Sequence, residues 1–82
     1  LLEGSPAELD VKALVTDLTE NIDGVERIHH VHAWSITQER CMVTLHAMIS
    51  SDLAATDAIS AIKKRLKDDH EIDHATVEVE RP

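Results

Sequence analysis

Residues 25–36 read VERIHHVHAWSI, and the alternation of apolar and polar side chains along them predicts a β-strand. Val31 and Ala33 point to one face of this strand, and His30 and His32 point to the other. Half of the six histidines of the chain lie in this stretch, together with its only tryptophan. These side chains either bind a ligand or form the polar face of an ordinary strand.

A helix is predicted before this strand. Ser5 is suited to cap it, Pro6 to occupy its first position, and Glu8 to complete a capping box. Apolar residues then recur at helical spacing as far as Ile22, and a glycine follows shortly afterwards. The pattern predicts a helix over residues 6–21.

The remainder of the chain predicts two more strands and a second helix. Residues 37–40 are polar and predict a hairpin loop, after which residues 41–50 alternate as a second strand. Ser51 and Asp52 are suited to cap a second helix that has one apolar stripe. Residues 75–80 alternate as a third strand.

The predicted order of elements is helix, strand, strand, helix, strand. Each helix has one apolar stripe and each strand has one apolar face, so we expect both helices to pack on the same face of a three-stranded sheet. The fold class is then α+β, a ferredoxin-like or metallochaperone-like αββαβ sandwich. The opposite face of the sheet is predicted to carry His30, His32, Trp34, Met42, Thr44, His46, Met48, Glu78 and Glu80.

The composition of this single small domain limits its function. A net charge of −8 opposes binding to nucleic acid or to an anionic membrane surface and is compatible with attracting cations. The basic cluster at residues 63–67 lies at the end of the second helix, where the helix dipole favours positive charge. No apolar run approaches the ~20 residues of a membrane span, and a single cysteine excludes an intramolecular disulfide. Because the chain does not begin with methionine, we expect it to be a fragment of a longer protein.

Catalysis finds little support in the motifs, and we expect no enzyme. The serines lack a nucleophile-elbow context, and no phosphate-binding loop is present. Glu78 and Glu80 suit an acid–base pair less well than the polar side of a strand. Trp34 and the two methionines of the open face suit a protein interface, and Cys41 suits a bystander role at a strand start.

Metal binding is the chemistry that the polar side chains favour. The histidines are accompanied by Asp73, Glu78 and Glu80, and imidazole and carboxylate are common metal ligands. This donor set suits Zn²⁺, with Co²⁺, Ni²⁺ and Cu²⁺ as further candidates. Spacing alone identifies no metal motif, because the sequence has no HExxH, CxxC or EF-hand pattern.

Three stretches resemble the C-terminal cytoplasmic domain of cation diffusion facilitator transporters. GVERIHHVHAWSI at residues 24–36 is similar to a motif of that family, the opening LLEGSP resembles its link to the last transmembrane helix, and HATVEVE resembles its last strand. The resemblance covers essentially the whole chain and is closest to the cobalt–zinc–cadmium resistance branch of bacterial zinc exporters. It makes residues 1–5 a linker and residues 6–82 the cytoplasmic domain.

The resemblance implies a function as well as a fold. Members of the family export divalent cations, mainly Zn²⁺, as homodimers, and their cytoplasmic domain dimerises, binds metal and thereby favours transport. By this resemblance the chain is a regulatory domain on the cytoplasmic side of a bacterial inner membrane, tethered by a transmembrane part outside these residues. Its partners are a second copy of the chain and Zn²⁺, with Co²⁺, Cd²⁺, Ni²⁺ and Cu²⁺ as other candidates, and not nucleic acid.

The resemblance also implies a set of ligands. Seven residues are candidate metal ligands: His29, His46, Glu80, Asp73, His74, His32 and His30. The first three match ligand positions of the family. Asp73 stands where relatives often have histidine, and His74 follows it, so either residue is a candidate to complete the set. His32 matches a recurrent histidine, and His30 replaces a common aspartate.

The resemblance conflicts with strict strand alternation at one position. Alternation sets His29 on the face opposite His30 and His46, whereas the resemblance groups His29 with His46. We follow the resemblance, since a twist or bulge at the strand start can re-aim a side chain. Two rival functions remain open. One is a metal-independent homodimerisation module whose histidines are polar interface residues, and the other is a soluble metal chaperone.

Overall fold

Helices and strands follow one another in the predicted order. A computed structural model describes residues 11–37 and 40–81. Its elements are α1 (Val11–Asn21), β1 (Val25–Ser35), β2 (Cys41–Ile49), α2 (Ala55–His70) and β3 (His74–Glu80). The predicted αββαβ fold is confirmed. The predicted helix start at residue 6, its capping box and the linker over residues 1–5 lie outside the described residues.

The three strands form one sheet in the order β1-β2-β3. β1 runs antiparallel to β2 through the predicted hairpin, in which the Ile36 N–H donates to the Arg40 carbonyl over 2.9 Å. β3 runs parallel to β2, so the connection between them crosses over through α2. Both helices pack on one face of the sheet, where the buried core includes Leu14, Leu18, Val43, Leu45, Ala47, Ile49, Ala58, Ile62 and Leu66.

The start of α2 differs from the prediction. Ser51 and Asp52 are predicted to cap this helix, but they lie in a turn, and the helix begins at Ala55. The turn packs Leu53 against the core and against Gly24, whose φ is +92°. A Cβ on Gly24 would lie 2.8 Å from Leu53 Cδ2, so the position requires glycine for both its conformation and its close contact.

β1 contains two bulges, and the second decides which side chains share the open face of the sheet. His29 pairs with His46, and the next pair is His32 with Thr44. Two residues of β1 therefore lie opposite Leu45 alone. Such an extra residue shifts the alternation of the strand by one position.

His30 lies in this second bulge with a φ of 51°, in the left-handed region that histidine tolerates better than most residues do. Because of the extra residue, His29 faces the same side of the sheet as His46. The prediction from strict alternation, which separated His29 from His30 and His46, is wrong, and the bulge is the reason. The resemblance predicted the grouping of His29 with His46 correctly.

The face of the sheet away from the helices is open. Cross-strand pairs on this open face join Trp34 to Met42, Met42 to His74, His46 to Glu78, and Met48 to Glu80. The Trp34 side chain is 43% exposed, and Ile36, just beyond the end of β1, is 50% exposed. The predicted composition of this face is confirmed, with Arg27, His29, His74 and Thr76 added to it.

A polar cluster around Asp17 ties α1 to α2. The Asp17 carboxylate accepts hydrogen bonds from Arg65 Nε and Nη2, both at 2.8 Å, and from His70 Nε2 and Asn21 Nδ2, both at 2.9 Å. The Arg65 guanidinium, followed by the His70 ring, holds the pKa of this carboxyl far below its usual range. The cluster fixes the second half of α1 against the end of α2.

Candidate metal site on the open face

One side chain from each strand meets at a single point of the open face. His29 on β1 donates from Nε2 to Glu80 Oε1 on β3 over 2.7 Å, and His46 on β2 donates from Nδ1 to Glu80 Oε2 over 2.8 Å. All three side chains are about one-third exposed, at 30–32%. Within the part of the chain that the structure describes, they are the one group of three or more histidine, cysteine or carboxylate side chains whose ligand atoms all lie within 4.8 Å of one another.

Each member of this cluster reaches it for a different local reason. The bulge turns His29 outward, regular alternation along β2 turns His46 outward, and Glu80 ends β3 opposite Met48. Glu80 therefore lies two residues, or one outward-facing pair, along from the row that holds both histidines, and its longer side chain spans the difference. The three residues become neighbours only through the pairing of all three strands.

The electrostatics of the cluster fix its protonation. Hydrogen bonds from His46 and then from His29 lower the pKa of the Glu80 carboxyl, so Glu80 is ionised near neutral pH. An ionised carboxylate only accepts hydrogen bonds, so His29 Nε2 and His46 Nδ1 both carry a hydrogen. A metal ion bound at these nitrogens would replace those two hydrogens.

Glu78 lies near the second ring nitrogen of His46, the one that does not contact Glu80. His46 Nε2 lies 3.9 Å from Glu78 Oε1, on the side of the ring away from Glu80. If a metal ion takes His46 Nδ1, the hydrogen moves to Nε2, and the exposed Glu78 side chain would accept it after closing by about an ångström. Carboxylates in this position commonly orient metal-binding histidines. The sequence signal for this role is the i,i+2 spacing of Glu78 and Glu80, which places both on the open face.

His30 lies beside the cluster. The centroid of its ring is 4.7 Å from that of His29 and 5.0 Å from that of His46. His30 itself is exposed, and its left-handed backbone turns its ring toward the two others. Three histidine rings therefore pack together where alternation had predicted a split across two faces.

Three other sequence-predicted ligands lie away from the cluster. His32 is exposed and pairs with Thr44, one outward-facing pair further along the sheet. Asp73 and His74 are exposed at the start of β3, whereas Glu80 ends it. At the usual strand rise, His74 and Glu80 are roughly 20 Å apart. Within one protomer, Asp73 and His74 do not reach the set around Glu80, and their role as ligands stays a prediction.

Two further side chains that can bind metals, those of Cys41 and His70, lie outside the cluster. Cys41 is half-buried at the start of β2, and desolvation raises the pKa of its thiol, which disfavours the thiolate that metals bind. His70 is held by Asp17 between the two helices. The sequence did not reveal the Asp17–His70 contact, because the two residues are far apart in the chain and belong to different helices.

The cluster meets the requirements of a small divalent cation. Ligands around tetrahedral Zn²⁺ stand about 2.0–2.1 Å from the ion and so roughly 3.3 Å from one another. The two bonds to Glu80 are shorter than this separation and the full spread of 4.8 Å is larger, so side-chain adjustments of an ångström or two suffice. Two nitrogens and one carboxylate oxygen leave a fourth position for water or another donor, and His30 is the nearest histidine.

Comparisons with known proteins agree with this fold. Residues 6–82 match the family model described as the cytoplasmic domain of cation efflux proteins. The chain is 39% identical over its whole length to a probable zinc transporter protein of Dictyostelium discoideum, and 42% identical over 98% of its length to the zinc transporter ZitB of Yersinia pseudotuberculosis. It spans 15% and 25% of the length of these two relatives. Within the described residues, neither helix is long and apolar enough to cross a membrane.

Solved structures show the same fold. The chain aligns with the metal-bound C-terminal domain of the CzcD transporter from Cuprividus metallidurans at a TM-score of 0.79, covering 88% of this chain and 99% of that one at 22% identity. A C-terminal domain of MamM carrying a His-to-Ala substitution aligns at a TM-score of 0.69 and 13% identity, over 88% of this chain and 94% of that one. At these identities, the likeness establishes the fold alone.

Proposed function

The chain belongs to the family of cation efflux protein cytoplasmic domains, and from this we propose that it is the metal-responsive regulatory domain of a divalent-cation exporter. In this proposal the regulating ion is Zn²⁺, with Co²⁺ and Cd²⁺ as further candidates. A transmembrane part of the same protein tethers the domain to the cytoplasmic side of a bacterial inner membrane. The names of the relatives, which are zinc transporters, support the choice of ion.

The observation that carries the proposal is the cluster of His29, His46 and Glu80. Two imidazoles and one ionised carboxylate, gathered within 4.8 Å on an open face, form a donor set that suits Zn²⁺. Glu78, whose Oε1 lies 3.9 Å from His46 Nε2, is a second carboxylate close to the histidine, as such sites commonly have. Among the seven predicted ligands, we propose these three as the primary set and His30 as the candidate fourth donor.

The proposed regulation acts through a second copy of the chain. Trp34, at the end of the open face where β3 begins, and Ile36, just beyond the end of β1, expose apolar surface, which suits an interface between two protomers. Metal favours the arrangement of protomers that it binds more tightly, so the size of the shift is set by the difference in its affinity for the two arrangements. A net charge of −8 on each chain opposes close approach, and bound cations reduce that repulsion.

Calorimetric titration of the chain with Zn²⁺ tests the site. We expect binding at micromolar metal or below, weaker binding as the pH falls from about 7.5 to about 6 because protons compete for imidazole, and a loss of more than about 100-fold in His29→Ala/His46→Ala. His74→Ala is the matched control, because it removes an exposed histidine of the same face roughly 20 Å from Glu80. No binding by the parent chain, or equal losses in the control, would refute the assignment.

The second candidate is a metal-independent dimerisation module. It is favoured by the hydrogen bonds from His29 and His46 to Glu80, because they satisfy the cluster without any metal. Analytical ultracentrifugation with Zn²⁺ and with a chelator separates the two functions. A dimer of the same stability and shape under both conditions supports the module, whereas a metal-dependent change in association or shape supports regulation.

A further inference from the structure

A cleft of about 370 Å³ lies between the second half of α2 and the start of β3. Lys63, Lys64, Lys67 and Asp68 of α2 line one side of it, Asp73 and Ala75 line the other, and Ile72 lies at its floor. Ile72 is only 2% exposed and belongs to the core, so the cleft joins a charged rim to an apolar base. The cleft contains none of the residues of the candidate metal site.

The positive charges of this cleft are incompletely neutralised. Four of the eight basic residues of the chain lie within residues 63–67. Arg65 is bound to Asp17, and Lys64 Nζ lies 2.9 Å from Asp68 Oδ2. Lys63 and Lys67, by contrast, form no ion pair within 4.0 Å to any residue in 11–37 or 40–81. Three lysines and two aspartates line the cleft, so it keeps one net positive charge on a chain with a net charge of −8.

The inner face of β3 is less completely covered than that of β2. Ala75 pairs with Val43 and Val77 pairs with Leu45, so all four side chains point toward the helices. Val43 and Leu45 are 0% and 1% exposed, whereas Ala75 and Val77 are only partly buried. A strip of apolar surface therefore runs from the cleft along the outer rim of the sheet.

The backbone edge beside this strip is also free. β3 pairs only with β2, so one of its edges has no partner strand among the described residues. β1, at the other edge of the sheet, carries two bulges that disturb pairing, whereas the register between β2 and β3 is regular. β3 also has no proline and no lysine, residues that natural edge strands use to block pairing.

We propose that this groove binds an extended, acidic segment of a partner protein, which adds to the edge of β3 as a further strand. The carboxylates at one end of the segment contact Lys63 and Lys67, and its apolar side chains cover Ala75 and Val77. Strand addition satisfies the free backbone groups of β3, which a lipid headgroup or a nucleic acid backbone would leave unpaired. The lysines outnumber Asp68 and Asp73 at the cleft and no lysine or arginine lies within β3, so the acidic part of the segment is placed at the lysine end.

Fluorescence anisotropy with defined peptides tests the proposal. The probes are two labelled heptapeptides, Asp-Asp-Asp-Val-Thr-Val-Thr and its reverse, because the direction of the added strand is not fixed by the groove. Lysine-for-aspartate versions serve as control peptides. We expect the parent chain to bind one acidic probe, with amide NMR shifts confined to α2 and β3, and Lys63→Gln/Lys67→Gln to weaken binding about 10-fold.

Lys12→Gln/Arg40→Gln is the matched variant, since it removes two exposed positive charges outside the groove. It should bind within about twofold of the parent. Equal losses in both variants, binding of the lysine peptides, shifts on the open face or no binding of either acidic probe would each overturn the proposal. Vesicles of phosphatidylcholine with phosphatidylglycerol form a further arm, and lysine-dependent binding to them without peptide binding would assign the groove to a lipid headgroup instead.

Discussion

Deleting His30 from β1 is expected to leave the candidate metal site in place. Two residues, His30 and Val31, lie opposite Leu45 in the second bulge, between the pair of His29 with His46 and the pair formed by His32. Removal of either residue restores regular pairing without moving the flanking pairs. The two deletions differ only in which side chain then points inward, toward the helices.

The structure sets the size of that difference. Without His30, the half-buried Val31 remains inward, and the left-handed backbone at φ 51° disappears, which relieves about 1–2 kcal/mol. Without Val31, the same strain is relieved, but half the burial of a valine is lost, at about 1–1.5 kcal/mol. An imidazole is also turned toward the core without a partner, at about 1–3 kcal/mol. The two deletions should therefore differ by about 2–4 kcal/mol in the free energy of unfolding.

Urea denaturation followed by Trp34 fluorescence measures this difference, and equal m-values in the two variants would show that the same structure unfolds. Zn²⁺ calorimetry on the same samples reports the site separately. If His30 contributes a fourth donor, its deletion lowers the affinity for Zn²⁺ without lowering stability. Equal destabilisation by the two deletions, or a greater loss without His30, would refute a bulge in which Val31 points inward and His30 is the extra residue.

Three further outcomes are expected. Gly24→Ala should lower the free energy of unfolding by about 1–3 kcal/mol because of its positive φ and its contact with Leu53, and a double-mutant cycle with Leu53→Ala should recover only the steric part. The depressed pKa of Asp17 stabilises the folded chain at any pH above the pKa of a carboxyl in the unfolded chain, and this stability is lost as the pH falls through the acid range. Asp17→Asn should therefore make the free energy of unfolding depend less on pH in that range. Asp68→Asn, the control, should change that dependence less. Trp34→Ala should change stability by less than about 1 kcal/mol yet weaken self-association in sedimentation velocity, and an unchanged association constant would remove Trp34 from the proposed interface.

Local patterns were sufficient for the order and type of the elements. The alternation along residues 41–50 and the stripe of α2 reflect one buried face each, and such faces leave a periodic signal in the sequence. The start of α2 was missed because Ser51 and Asp52 are good capping residues, yet the packing of Leu53 on Gly24 requires a turn first. That contact joins two loops distant in the chain, and no local pattern encodes it.

The candidate site was only partly accessible from the sequence. Alternation predicted the outward direction of His46 and Glu80, but His29 depends on a bulge whose position is set by pairing with β2. The family resemblance grouped His29 with His46 correctly because the ligand positions of the family already reflect how these strands pair. For Asp73 the resemblance was less informative, because the length of β3 places this residue roughly 20 Å from Glu80 in the same protomer. Among the described residues, His30 in the bulge of β1 is the nearest further histidine, and a second protomer is the alternative source of a ligand.

The order of strand pairing bears on when the cluster forms as the chain folds. His46 and Glu80 are 34 positions apart, and His29 and Glu80 are 51 positions apart. The β1–β2 hairpin is local and closes at low entropic cost, whereas β3 must wait for α2 to bring it back parallel to β2. Glu80 is the last residue of that last strand. The three side chains therefore meet only in a chain that has completed its sheet, so a ligand at this point would distinguish finished molecules from nascent or truncated ones.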